Sequence, residues 1–297
     1  MDSPRTQLAG GVVDNGRMGD GEGGRIVVAA TPIGCDDDAS PHLRHLLATA
    51  DIVAAEDTRR VRALARRLAI PIAGRVDSLH DANESSRAPA LVEAARAGAT
   101  VLLVSDAGTP LVSDPGFRVV RLAGEAGVRV TCAPGPSAAL AALAVSGLAT
   151  DRFAFEGFWP RKPGAGAALA ADLAPERRTM VFFVAARRLA AALTHMAAAW
   201  GAERPAVVCR ELTKVHEDIW RGTLGVLADR AASREVLGEV TVVVAGAMSQ
   251  NYDIDALASQ VRARADAGVR LADAAAEVAA RTGVSRRVLY EAALRAR

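Results

Sequence analysis

From residue 25 to residue 146 the chain alternates two patterns. Short, continuously apolar, β-branched runs at 26–30, 52–55, 101–105 and 128–132 are separated by segments whose apolar residues recur at helical spacing, such as Leu43, Leu46, Leu47 and Val61, Leu64, Leu68. A strand that is apolar at every position is buried on both faces, so helices must cover the sheet from both sides and its strands run parallel. Ser40 followed by Pro41 marks a helix start, with the hydroxyl as cap and proline in the first turn. A short further strand is expected just before His80. This is an α/β chain.

Past the Ala/Leu helix of 137–146 the rhythm changes. Runs at 153–158, 179–184, 206–210, 219–224 and 240–245 read as strands, two of them without a long helix between, which predicts a mixed second sheet with antiparallel pairing. From Asp253 onward helical spacing dominates, closing in two helices about a Thr282-Gly283 turn. The expected organisation is a disordered leader at 1–24, two α/β domains at 25–148 and 149–248, and a small helical region at 249–297. The leader is polar, rich in Gly, Asp and Arg, and without apolar periodicity.

Charge narrows the function. Thirty-six Lys and Arg against 34 Asp and Glu leave a formal +2, so any polyanion-binding surface is local rather than a general basic coat. Only two of the cations are lysines, Lys162 and Lys214, so arginine clusters carry less information than usual. Three widely spaced cysteines form neither a disulfide framework nor a zinc spacing and point to a reducing compartment. No apolar run approaches a membrane span, and the expected location is the cytoplasm.

Two motifs mislead. Gly19, Gly21 and Gly24 have the spacing of a dinucleotide fingerprint but precede the first strand, whereas the fingerprint must follow a strand and open a helix. Cys35, Asp36, Asp37, Asp38, His42 and His45 crowd potential metal ligands together, yet mix soft and hard donors, and acids before a helix start are explained by its dipole. No metal is expected.

The informative segments lie at the carboxyl ends of expected strands: TPIG at 31–34, AAEDTR at 54–59, SDAGTPLVSDPG at 105–116 and APGPSA at 133–138. That edge of an open α/β sheet is where ligands bind. Glycines at 34, 108 and 135 let backbone approach a ligand, and prolines at 32, 110, 134 and 136 stiffen the loops. Ordinary βα turns use the same residues, so composition alone leaves the choice open.

These segments, with DRFAFEGFWP, ELTKVHE and Gly238-Glu239, occur in the order and spacing of the tetrapyrrole methylase superfamily and are similar to its ribosomal-RNA-methylating branch, over roughly 25–248 with a weaker likeness in the tail. The resemblance implies a two-domain class III methyltransferase fold, usually a homodimer. It implies S-adenosylmethionine as methyl donor and, as substrate, a cytidine ribose 2′-oxygen in the decoding region of 16S rRNA, free or in the small ribosomal subunit. It also implies cofactor contacts from Pro32, Ile33, Gly34, Asp106, Ala107, Gly108, Thr109, Gly135, Ser137 and Ala138.

The chain departs from the pattern at Cys35, at Ala82 within His80-Asp81-Ala82-Asn83-Glu84, at Val184 and Arg187 within the 183–188 segment, where a carboxylate is missing, and at Gly166 and Ala167. These changes leave the cofactor loops intact and bear on substrate contacts.

A ribose hydroxyl attacks well only once its proton is taken. Asp57, His80 and Glu84 are the nearby acceptors, with Glu56 read as structural, and Asp57, Arg59 and His80 are placed beside the ribose. A structural ion pair is the alternative for Asp57 and Arg59, and a surface loop for His80; His195 and His216 are read as structural. Arg60, Arg161, Lys162 and Lys214 are the expected RNA-phosphate contacts, a solvated helix face being the alternative for the arginine run at 59–67. Two other functions remain. One is a porphyrinoid methylase using the same loops; the other is a non-catalytic nucleic-acid-binding protein using the tail, where Gly283, Ser285, Arg286 and Arg287 resemble a helix-turn-helix start.

Overall fold

The computed structural model describes residues 23–247, 253–282 and 284–295. The first 22 residues, including Gly19 and Gly21 and nearly all of the expected leader, lie outside the described residues, as does Gly283. The chain forms two compact units: Met1–Leu173 with Thr179–Ala245, and Ala174–Arg178 with Gly246–Arg297.

The first sheet of the larger unit contains β1 (Arg25–Ala29), β2 (Ile52–Ala55), β3 (Arg75–Ser78), β4 (Thr100–Val104) and β5 (Arg129–Ala133). Its order is β3-β2-β4-β1-β5 and every pairing is parallel. Alternate residues of the apolar strands serve opposite faces. Val27, Val53 and Leu102 pack with Leu43, Leu46 and Leu47 of α1 (Pro41–Thr49) and Val61 and Leu64 of α2 (Thr58–Arg67). Ile26, Ile52 and Leu103 pack on the other side with Leu91 and Val92 of α3 (Glu84–Arg96) and Val119 of α4 (Phe117–Glu125). The Ser40 hydroxyl accepts from the Leu43 amide at 3.0 Å, so the expected cap is formed.

Gly24 is explained by packing. A Cβ there would stand 2.1 Å from the Ala95 carbonyl oxygen, so the entry to β1 requires glycine for close backbone contact.

The second sheet contains β6 (Phe153–Phe158), β7 (Thr179–Ala185), β8 (Pro205–Arg210), β9 (Asp218–Thr223) and β10 (Glu239–Val244), in the order β6-β7-β10-β8-β9. Only β6 and β7 run parallel; the other pairs are antiparallel. One face carries Phe182, Val208, Trp220 and Val242 against α6 (Pro163–Asp172), α7 (Leu189–Trp200) and α8 (Leu224–Ala232). The opposite face carries Val181, Val207, Cys209 and Val243, packed on Ala139, Ala142 and Leu143 of α5 (Ala138–Ser146). Because α5 follows directly from β5, this nearly all-apolar helix couples the two sheets.

The smaller unit holds α9 (Ile254–Asp266), α10 (Leu271–Thr282) and α11 (Arg286–Arg295), which share a core of Leu257, Val261, Val278, Leu289 and small alanines. Among the described residues no helix is long and apolar enough to cross a membrane.

The coupling by α5 is testable. Leu143 is 5% exposed and Leu140, on the same helix, 55%. Leu143→Ala is expected to cost about 2 to 5 kcal/mol in urea denaturation and Leu140→Ala less than about 0.5 kcal/mol. Equal effects would contradict the packing of α5 under the second sheet.

Candidate active site

Connections leave β1 and β4, which are neighbours, in opposite directions: β1 leads through α1 to β2, and β4 leads through α4 to β5 on the far side of β1. Ligands of open α/β sheets bind at such a switch point. The two loops emerging there are tied by reciprocal backbone hydrogen bonds, Thr31 N–H to the Gly108 carbonyl at 2.9 Å and Gly108 N–H to the Thr31 carbonyl at 3.0 Å. The buried Thr31 hydroxyl donates to the Ser105 carbonyl at 3.2 Å, and the Thr109 hydroxyl to the Pro136 carbonyl at 3.0 Å, which adds the loop after β5. Gly108 has φ +81°, a left-handed conformation that favours glycine at this crossing.

Above the crossing lies a cavity of about 320 Å³, within the size range of small-molecule sites. The first sheet contributes Ile33, Glu56, Arg60, residues 106–109, Val112, Ser113, Asp114, Ser137 and Ala138. The second contributes Phe158, residues 183–185 and residues 238–241. Phe158 is 63% exposed at this wall and meets the Phe183 ring edge-to-face at 5.4 Å.

Four carboxylates line the cavity, and three are held by backbone amides or ion pairs. Asp106 accepts from the Asp57 amide at 3.0 Å and pairs with Arg60 at 3.4 Å. Glu56 accepts from the Asp106 amide at 3.3 Å, and burial raises its pKa. Glu239 pairs with Lys214 at 3.0 Å. The fourth, Asp114, is pushed up to about 6, chiefly by burial and then by the negative charge of Glu56. Its loop contains two non-glycine residues with left-handed backbone, Leu111 (φ 70°) and Ser113 (φ 66°), a conformation that persists only where the surroundings enforce it.

Of the residues expected at the cofactor, Ile33, Asp106, Ala107, Gly108, Thr109, Ser137 and Ala138 line this cavity. Pro32, Gly34 and Gly135 do not. Pro32 is buried in the crossing; a Cβ on Gly135 would meet the Ala30 Cβ at 3.1 Å. At Gly34 a Cβ would lie 2.5 Å from Lys214 Cγ, and the nearby Cys35 amide donates to the Thr213 hydroxyl at 3.2 Å. The loop after β8 therefore presses on the loop after β1.

Asp57, Arg59 and His80 lie outside the cavity wall. The Asp57 side chain caps α2 by accepting from the Arg59 amide at 2.8 Å and pairs with the Arg59 guanidinium at 3.0 Å; hydrogen bonding to Arg59 holds its carboxyl down at about 2. Arg59 is otherwise in solvent, with its side chain 89% exposed. His80 is exposed in a turn in which its amide donates to Asn83 Oδ1 and its carbonyl accepts from the Glu84 amide. Glu84 is buried, where its carboxylate accepts from the Gly116 and Arg118 amides at 3.1 and 2.7 Å and so caps α4 from α3.

The expected phosphate contacts divide similarly. Arg60 belongs to the cavity wall, and Arg161 and Lys162 are exposed just after Phe158-Trp159-Pro160. Lys214 is held between Glu211 at 2.8 Å and Glu239 at 3.0 Å. Burial opposes its charge, but hydrogen bonds to the two carboxylates outweigh that, and its pKa is raised. In the acid-rich segment after the first loop, Asp36 forms a two-pronged pair with Arg67 at 2.7 and 3.0 Å. Among the described residues no group of three or more His, Cys, Asp or Glu side chains is placed to hold a metal ion.

Glu56, Asp114 and Glu239 are cavity residues that the sequence reading did not select. A usable signal existed for Asp114, which lies in the same 105–116 segment as Asp106. Glu239 stood in the Gly238-Glu239 pair that carries the family resemblance, but its place at the cavity follows only from the pairing of β10 with β7 and β8.

Residues 25–228 match the family described as Tetrapyrrole (Corrin/Porphyrin) Methylases, and residues 253–297 match the RsmI C-terminal HTH domain. Ribosomal RNA small subunit methyltransferase I of Mycobacterium tuberculosis (strain CDC 1551 / Oshkosh) is 56% identical over 275 residues, covering 92% of this chain and 96% of that protein. The protein of the same name from Xylella fastidiosa (strain Temecula1) is 42% identical over 271 residues, covering 90% and 98%. Among solved structures, uroporphyrin-III C-methyl transferase from Thermus thermophilus complexed with S-adenyl homocysteine superposes with a TM-score of 0.52 at 20% identity, covering 75% of this chain and 97% of that one, a likeness of fold. The fold is that of a tetrapyrrole methylase. Within that class, the chain belongs to the ribosomal RNA small subunit methyltransferase I family.

The Glu84 contact gives a check on this geometry. Glu84→Ala strips the α4 amides of a buried acceptor and is expected to lower unfolding free energy by about 1 to 3 kcal/mol in chemical denaturation. Unchanged stability would argue that Glu84 is free for another role.

Proposed function

We propose that this protein transfers a methyl group from S-adenosylmethionine to the ribose 2′-oxygen of a cytidine in the decoding region of 16S rRNA. The observation that carries the reading is a cavity at the β1/β4 crossing, walled by Asp106–Thr109 segment residues on one side and by the Phe158 and Phe183 face on the other. The residues fit the donor. Ile33, Ala138, Val184 and Val240 provide apolar surface for a flat heterocycle, and the Asp106 carboxylate suits a sulfonium or an amino group. When bound, the donor supplies an electrophilic methyl carbon, and the protein's task is to align the acceptor behind it.

The RNA side of the reading rests on family membership, on the exposed aromatic Phe158 at the cavity wall and on Arg161 and Lys162 close by. An exposed phenyl ring offers a stacking surface for an unpaired base, and cations near it suit phosphates. Lys214 contributes differently: tied to Glu211 and Glu239, it stiffens the cavity wall and the adjoining Gly34 loop.

Purified protein incubated with methyl-labelled S-adenosylmethionine and small ribosomal subunits lacking the modification tests this directly. After digestion to nucleosides, label is expected on the ribose of one cytidine. Label on the base, or transfer to a porphyrinoid and none to RNA, would contradict the reading.

A further inference from the structure

Each acceptor nominated by the sequence for the hydroxyl proton has other employment in the fold. Asp57 is a helix cap paired with Arg59, Glu84 caps α4, and His80 stands in an exposed turn outside the cavity. Inside the cavity, Asp106 is bound by the Asp57 amide and Arg60, Glu56 by the Asp106 amide, and Glu239 by Lys214. Asp114 is different. Among the described residues neither it nor Glu56 takes part in an ion pair, but Glu56 is held by a backbone amide, whereas the hydrogen-bonding neighbour of Asp114 is the Ser105 hydroxyl. The left-handed residues Leu111 and Ser113, together with Gly116 at φ +124°, bend the loop that brings it to the wall.

Resting on the reading above, we propose that Asp114 is the catalytic base, taking the proton of the attacking hydroxyl as the methyl group is transferred. The hydroxyl oxygen forms a bond to the methyl carbon, the carbon–sulfur bonding pair remains on sulfur, and the hydroxyl proton passes to a carboxylate oxygen of Asp114. The products are the methyl ether, a neutral thioether and a protonated Asp114, which returns its proton to solvent. Neither a metal nor an oxidant enters the balance.

The surroundings suit this task. The charged groups facing Asp114 are Glu56 from the loop after β2, Asp106 from the loop after β4 and Asp81 from the turn before α3; Arg60 of α2 and Glu239 of β10 line the same cavity. Burial and the three acids make the carboxylate more basic, to about 6, so it is ionised at neutral pH yet holds a proton better than a solvated aspartate.

The test is the single-turnover rate of ribose methylation between pH 5 and 9. For the wild type the rate should fall about tenfold per unit below about pH 6 and level off above it. Asp114→Asn should lower the plateau about 10²- to 10⁴-fold and remove the acid limb, while calorimetric affinity for S-adenosylhomocysteine stays within about threefold.

A readout independent of turnover is thermal unfolding. The folded-state pKa is raised from 3.8 to about 6, so the stability contributed by the protonated form is complete below about pH 4 and lost as pH rises through about 6. Asp114→Asn escapes that loss, so its melting temperature relative to the wild type should be higher at pH 8 than at pH 4.

An asparagine variant that turns over at the wild-type rate, or a wild-type rate that is flat from pH 5 to 9, overturns the assignment. If the asparagine variant does not fold, Asp114→Glu, which keeps a base at the position, should retain an acid limb at a shifted pH; a limb unmoved from the wild type overturns the assignment as well. A wild type that never methylates a ribose oxygen overturns the substrate reading first, and this proposal with it.

Discussion

The structure depends on one pair of backbone hydrogen bonds, those by which Thr31 and Gly108 tie the loop after β1 to the loop after β4. In a parallel sheet the carboxyl-end loops otherwise leave for different helices and have no reason to hold one geometry. Here the chain turns in opposite directions from two adjacent strands, and the reciprocal bonds fix the gap between them. Every later feature of the cavity uses that fixed point. Ile33 and residues 106–109 project from it, and the hydroxyls of Thr31 and Thr109 extend it to Ser105 and Pro136. It is extended sideways to the loop after β2, where the Asp106 carboxylate accepts from the Asp57 amide and the Glu56 carboxylate accepts from the Asp106 amide.

The second constraint is the helix α5. With Ala and Leu at nearly every position, it buries Ala139, Ala142 and Leu143 under the second sheet while its first residue, Ala138, lines the cavity. A helix that is apolar on almost all sides needs cover from more than one element. The same residues that set its packing therefore bring the second sheet over the edge of the first, and the cavity is closed by apolar contact rather than by a hinge of polar groups.

The layer architecture was legible in the sequence because β1, β2 and β4 are apolar at successive positions, as in Ile26, Val27, Val28 and Ala29, a pattern that burial on both faces explains. The mixed character of the second sheet was legible from two strand runs too close for a helix between them, now β8 and β9. The cavity loops stood out by glycines and prolines at strand ends, but only the family resemblance separated them from ordinary βα turns. What could not be read was which carboxylate faces inward. Glu56 and Asp57 are adjacent in sequence, yet Glu56 lines the cavity while the Asp57 side chain turns back to cap α2 and pair with Arg59. Lys214 looked like a free cation because one of its partners, Glu239, is 25 residues away and comes near only through strand pairing. Glu84 looked like a base because the donors it serves, the otherwise unpaired amides at the start of α4, are brought to it only by the tertiary structure.

Both sheets line the cavity at the β1/β4 crossing, the place proposed for the methyl donor. Amide hydrogen exchange with and without S-adenosylhomocysteine tests it most directly. Added protection is expected at the crossing, in residues 31–34, 105–109 and 136–138, together with residues 238–241 of the second sheet. Protection confined to segments away from the crossing, or to the first sheet with none at 238–241, would contradict it.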